Sequence, residues 1–122
     1  MALTNALTTV GKTYIATKLA DTTTTTVVPK WIGIGTGVHG AVVGDTALTT
    51  EVETRSGTNA ATSSTNVFQV IQTITASALR AVTEAGLFSA VTGGTMIISS
   101  TFDVVTLQIG DSIQITAQIT FA

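Results

Sequence analysis

The chain has no cysteine, one proline and one histidine, and only 10% of its residues are charged. Without cysteine, a disulfide framework and thiolate metal sites are both excluded. A metal site built on the lone His39 would need carboxylates gathered from elsewhere, so no metal or other cofactor is expected. The five Lys and Arg, set against seven Asp and Glu for a net charge of -2, form no basic stripe, so nucleic acid is not an expected partner. No run of about 18 apolar residues is present, so no helical membrane span is expected. The start, Met1-Ala2-Leu3-Thr4-Asn5, has neither the basic region nor the apolar run of a signal peptide, and synthesis in a cytoplasm is expected.

What the chain does have is apolar content without charge. It is 44% hydrophobic over 122 residues, enough for one domain, 1–122, with its own core. Its polar surface must come from hydroxyls and amides. Threonine supplies most of this, at roughly a fifth of the chain, well above its ordinary share. A β-branched hydroxyl residue suits the solvent face of a sheet.

The clearest pattern is at 112–121. Ile113, Ile115, Ala117, Ile119 and Phe121 alternate with Ser112, Gln114, Thr116, Gln118 and Thr120, as in a strand with one apolar and one wet face. It would span roughly 33 Å, and is expected to be a central strand of a half-solvated antiparallel sheet. Gly110-Asp111 sets a turn before it.

From the start, Leu3, Leu7, Val10 and Tyr14 recur at helical spacing, with Leu19 beyond. They predict an amphipathic helix over 5–20 capped by Thr4 or Asn5, against the tendency of Gly11 and the β-branched Thr8, Thr9, Val10 and Thr13. The threonine run 21–26 reads as a loop or extended edge, and Pro29 marks the start of a short strand at 30–34. Residues 33–44 carry five glycines, His39 and no charge, and predict a long exposed loop. Residues 57–65 are low-complexity and predict a hairpin tip or mobile loop. A second strand is expected at 67–75, with Phe68, Val70 and Ile74 on one face and Gln72 interrupting it. Gly93-Gly94 is a tight-turn signal, followed by strands at 96–102 and 104–107. Strands at about ten-residue spacing predict a mainly β fold: an antiparallel, jelly-roll-like β-sandwich over 27–122 with one N-terminal α-helix or arm over 1–20. Ile113, Ile115, Ile119, Phe121, Phe68, Val70, Phe88, Ile98 and Phe102 are the expected core.

Motifs that carry chemistry are weak. Val10-Gly11-Lys12-Thr13 looks like the end of a phosphate-binding loop, but Ala6 stands where that motif needs a glycine, and Lys12 reads as a lysine on a helix face. Gly33-Ile34-Gly35-Thr36-Gly37 has spaced glycines without the following helix of a dinucleotide site. Glu51, Glu53 and Arg55 share a face if extended. Paired carboxylates serve glycoside hydrolysis, but a surface ion pair accounts for these three more simply. Glu84 lies between Val82 and Leu87-Phe88, where burial is expected, and predicts a structural ion pair with Arg55 or Arg80. There is no catalytic constellation, and the protein is not expected to be an enzyme. The expected contact surfaces are the glycine-rich loop, through Gly33, Gly35, Gly37, His39 and Gly40, and the threonine run, through Thr24 and Thr25.

One series of residues carries a resemblance. It runs through Leu3-Thr4-Asn5, Gly11-Lys12-Thr13-Tyr14-Ile15-Ala16, Ile32-Gly33-Ile34-Gly35-Thr36-Gly37, Thr46-Ala47-Leu48 with Glu51-Val52 and Arg55, Val82-Thr83-Glu84-Ala85-Gly86-Leu87-Phe88, and Gly110-Asp111-Ser112-Ile113. The chain resembles small virion proteins of tailed bacteriophages, and in particular the N-terminal module of phage tail-collar fibre proteins. Those fibre proteins continue far beyond the module, whereas this chain ends with it. The resemblance therefore implies a separate virion part: a head decoration, or cement, protein on the capsid surface, bound to the major capsid protein lattice. It implies no catalytic residues. A tail or collar component with a fibre-attachment or receptor-binding role is the alternative, and an enzyme or small-molecule binder is the third class. Long strands with few guarding lysines also predict self-association, as a homotrimer.

Overall fold

A computed structural model describes residues 3–22, 27–38 and 41–121. It holds eight strands and one helix in the order β1 (Leu3–Leu7), α1 (Thr9–Ala20), β2 (Trp31–Gly35), β3 (Glu51–Ser56), β4 (Thr62–Ser64), β5 (Val67–Thr75), β6 (Arg80–Phe88), β7 (Met96–Leu107) and β8 (Ser112–Thr120). They form two antiparallel sheets: a five-stranded one in the order β1-β7-β6-β2-β3 and a three-stranded one in the order β4-β5-β8. The fold is a β-sandwich. Its main core lies between the sheets, with Ile32, Ile34, Val82, Ala85, Leu87 and Ile97 from the larger and Val70 and Ile74 from the smaller.

The alternating segments become strands where period two and the glycine turns place them. β5 and β8 pair without interruption from Val67 opposite Thr120 to Thr75 opposite Ser112; the positive-φ Gly110 turns the chain into β8, and Thr65, also at positive φ, turns it into β5. Residues 62–64 fold back on β5 as a hairpin. The two segments at 96–102 and 104–107 are one strand, β7.

Four expectations change. The predicted helix over 5–20 starts later, because residues 3–7 pair with Phe102 to Ile98 of β7. The cap is Thr8, whose Oγ1 accepts the Gly11 N–H at 2.9 Å, and not Thr4 or Asn5. Gly11 is the one buried residue of the helix. A Cβ there would meet the Ile97 carbonyl oxygen at 2.6 Å, so only glycine lets α1 lie this close to β7.

Second, β8 is an edge strand and not a central one: it pairs with β5 alone. Its apolar residues Ile113, Ile115, Ala117 and Ile119 pack against the core but are only partly buried. Phe121 lies past the strand and is 50% exposed, and of the other expected core residues, Val70 and Phe88 are fully buried while Phe68, Ile98 and Phe102 are partly so.

Third, Gly33 and Gly35 are not in an exposed loop. They lie in β2 between β3 and β6, and they are buried, as is Gly37. His39, Gly40, Thr24 and Thr25 lie outside the described residues.

Fourth, Glu51, Glu53 and Arg55 do not share a face. β3 carries a bulge opposite β2 between Ile32 and Ile34, and Glu53 has φ 64. The bulge turns Glu53 away from its neighbours.

Candidate functional site

Ionisable side chains of the larger sheet hold loops: Glu84, Glu51 and Arg55 on its outer side, and Glu53 with Arg80 apart from them. Glu84 is fully buried in β6. Its Oε2 accepts the Gly37 N–H at 3.0 Å and the Thr50 N–H at 2.8 Å, and its Oε1 accepts the Thr49 N–H at 2.9 Å. A carboxylate has only acceptors, and backbone donors suit it well. The cradle is made by glycines: a Cβ at Gly35 would collide with Glu84 Oε2, and one at Gly37 would lie 2.7 Å from it.

This corrects the expected pairing of Glu84 with Arg55 or Arg80. Both arginines are engaged elsewhere. Arg55 Nε donates to Glu51 Oε2 at 2.7 Å, and its Nη1 reaches the carbonyls of Ala90 and Gly93, each at 2.8 Å. Its guanidinium also lies over the Phe88 ring, 3.4 Å from the centroid, a cation–π stack. Arg55 thus clamps the turn between β6 and β7. Arg80 donates to Glu53 Oε2 at 2.8 Å, and the same carboxylate takes the Ser77 N–H at 3.0 Å and the Ser77 hydroxyl at 2.8 Å.

The segment 41–50 is a strap across this face. Leu48 packs on Phe88 and Met96. The Ser99 hydroxyl donates to Asp45 Oδ2 at 2.7 Å, and the Val43 carbonyl accepts the Thr9 N–H at 2.7 Å. Glu84 pins its far end. On the inner side, the residue that broke the apolar face of β5 has a similar task. Buried Gln72 donates from Nε2 to the carbonyls of Lys30 and Asn59, at 2.9 and 2.8 Å, and accepts the Asn59 N–H at 3.1 Å.

The titration of Glu53 is displaced downward. The Arg80 hydrogen bond, assisted by the Ser77 donors, holds its carboxyl below the usual range against the opposing effect of burial. A group whose pKa is lowered by folding stabilises the fold above its unfolded value and loses that stabilisation as the pH falls through the folded one. Glu53→Gln is therefore expected to be less stable than the parent at pH 7. The gap should close below the ordinary glutamate pKa of about 4.3, as read by urea midpoints across pH 3 to 7. A gap that stays constant over that range would show that Glu53 acts through shape alone.

One concave feature lies beside α1, lined by Thr13, Tyr14, Thr17 and Ser89, and another lies between the sheets. Because three strands face five, β8 lies against β7 without covering it fully. The result is a groove of about 400 Å³ floored by Ile98, Phe102 and Val105 and walled by Ile113, Ile115 and Ala117. It contains no ionisable side chain. Among the described residues, no group of three or more His, Cys, Asp or Glu is placed to hold a metal ion. Lys12, in the segment resembling a phosphate loop, is exposed on α1.

The fold and these contacts define a two-sheet β protein whose buried charges serve architecture. No family model matches the chain, and neither a curated protein nor a solved structure matches it.

Sequence reasoning missed the partners of Glu84, since backbone amides leave no mark on a sequence. The paired glycines Gly35 and Gly37 were the available signal. It also missed the free edge of β8.

Proposed function

We propose that this chain is a structural virion protein of a tailed bacteriophage, which decorates and stabilises the capsid shell through contacts with the major capsid protein lattice. The observation that carries this reading is where the polar chemistry has gone. Glu84, Glu51, Glu53, Arg55, Arg80 and Gln72 are all used in internal contacts that fasten loops. What reaches solvent is largely threonine, glutamine and aliphatic side chains, with scattered charges such as Lys12 and Asp111. Val42 and Val43 are exposed on the strap, and Val38 is exposed ahead of it. Leu79 and Ile109 are exposed on two loops joined at one end of the sandwich by the Gly110 N–H to Ala76 carbonyl bond. Such a surface suits shape-fitted contacts with other proteins more than capture of a charged ligand. The series of residues shared with phage tail-collar fibre modules supports the same reading and names the alternative, a tail or collar part.

Copy number separates them. A decoration protein repeats with the lattice, so purified particles should contain it in numbers comparable to the shell protein. A collar part on one axis would be present in a handful to tens of copies. Quantitative gels of purified particles read the difference, and absence from the particles would remove both readings.

A further inference from the structure

We infer that β8 is a self-association edge: it pairs antiparallel with β8 of a second copy about a two-fold axis through Thr116. The inference stands apart from the particle reading, because it is decided on the purified protein.

The first ground is that this edge is unguarded. β8 runs nine residues without a bulge or a register break, and among the described residues it has no strand partner beyond β5. It carries no charge and no proline. Natural edges are usually blunted by such devices, and the other long edge here is: β3 has a bulge and three charged residues.

The second ground is the direction of its free backbone groups. In an antiparallel pair, residues alternate between facing the partner and facing away. The Phe121 N–H bonds the Asn66 carbonyl and the Ala76 N–H bonds the Asp111 carbonyl, at either end of the β5–β8 ladder. These bonds set the phase: the odd-numbered residues of β8 turn their N–H and C=O toward β5. The even-numbered ones, Ser112, Gln114, Thr116, Gln118 and Thr120, turn theirs to the free edge.

The third ground identifies the occupant. Ser-Ile-Gln-Ile-Thr-Ala-Gln-Ile-Thr reads the same by residue class in both directions about Thr116. With Thr116 opposite the partner's Thr116, Gln114 faces the partner's Gln118 and Ser112 faces the partner's Thr120. Ile113 faces the partner's Ile119, and Ile115 faces the partner's Ala117. Amide meets amide, hydroxyl meets hydroxyl and aliphatic meets aliphatic. This register also sets even residues opposite even residues, as the free hydrogen-bonding groups require. The wet face already shows the pairing: Gln118 Nε2 donates to Gln69 Oε1 at 2.6 Å, and the Thr75 and Ser112 hydroxyls lie 2.8 Å apart. A second β8 continues both rows across a six-stranded sheet.

The fourth ground is the symmetry. A two-fold axis perpendicular to the sheet keeps inner faces inner, so Ile113 and Ile115 of both copies stay on the core side. A three-fold ring, expected from composition, would bring β8 against some other surface of its neighbour, where this palindrome has no use.

The absence of native cysteine makes the test direct. Thr116→Cys introduces the only thiol, on an exposed position of the wet face. In the inferred register it stands directly opposite its copy, at about 5.5 Å between Cα atoms, within disulfide reach. Thr73→Cys, also exposed on that face but one strand in, is the control. Under mild oxidation the first should give a covalent dimer at least tenfold faster than the second. Light scattering on the unmodified protein should show a dimer. Gln114→Lys with Gln118→Lys should weaken it tenfold or more, whereas Gln114→Lys with Gln118→Glu, which sets Lys against the partner's Glu, should retain it. A monomer at millimolar concentration, equal cross-linking at 116 and 73, or identical association of the two double variants would each overturn the inference.

Discussion

Glu84→Ala is expected to lower the stability of the fold by about 3–5 kcal/mol, through three amides left without their acceptor. The Gly37 amide is enclosed, while those of Thr49 and Thr50 are partly so. A buried donor without a partner costs roughly 1–3 kcal/mol, more than a hydrogen bond contributes on average. Water has a route to the two threonine amides but not to the glycine one, which keeps the total below three full penalties. The loss should be local first. With its far end unpinned, the strap 41–50 should become the earliest site of proteolytic cleavage, ahead of global unfolding. Glu84→Gln keeps the shape but turns an amide NH₂ toward one of the donors, and should fall between the two. A urea midpoint that puts Glu84→Ala within about 1 kcal/mol of the parent would mean that Leu48 and the bonds at Asp45 and Val43 hold the strap without Glu84.

Phe88→Ala is expected to cost about 3–5 kcal/mol. The ring is 1% exposed. It joins Leu48, Met96 and Trp31 in a second, smaller core on the outer side of the larger sheet, and it lies beneath the Arg55 guanidinium. Removing it opens a cavity and also takes away the surface on which Arg55 is stacked. Arg55 then has to hold the turn at Ala90 and Gly93 with hydrogen bonds alone. Phe88→Leu retains most of the volume but not the ring face, so comparison of the two by thermal unfolding separates packing from stacking. Equal losses for both would assign the effect to the cation–π contact. A small loss for Leu and a large one for Ala would assign it to the cavity.

The strands that were legible from sequence are those whose signal is local. β5 and β8 show period two over nine residues each, and Gly93-Gly94 and Gly110 mark the turns before β7 and β8 by a need for positive φ. What stayed hidden depends on partners far away along the chain. Residues 3–7 are spaced as a helix would be, but the free edge of β7, some ninety residues on, supplies backbone partners that the helical alternative lacks. Whether β8 is central or at an edge is a property of the sheet order, which its own alternation cannot express. The bulge at Glu53 has no glycine or asparagine to announce it, so three alternating charges looked coplanar. Burial of Glu84 was legible from the apolar residues around it. Its partners were not, because three backbone amides from two separate segments meet only after β2 and β3 have paired.

The pairing of β1 with β7 sets a clock on synthesis. The first strand of the larger sheet cannot find its neighbour until residues 98–102 have been made. At ribosomal rates of about 5–20 residues per second, that delay is roughly 5–20 s. β2 likewise waits for β6, which it joins from Trp31 opposite Phe88 to Gly35 opposite Glu84. The nascent chain therefore emerges with most of its sheet unpaired, and folding is dominated by contacts between distant residues, the slow regime for two-state domains. In that interval the exposed segments are rich in threonine and glycine, and unbroken apolar runs are short. A composition that looked merely charge-poor in the folded protein also limits the adhesion of a chain obliged to wait for its own C-terminal half.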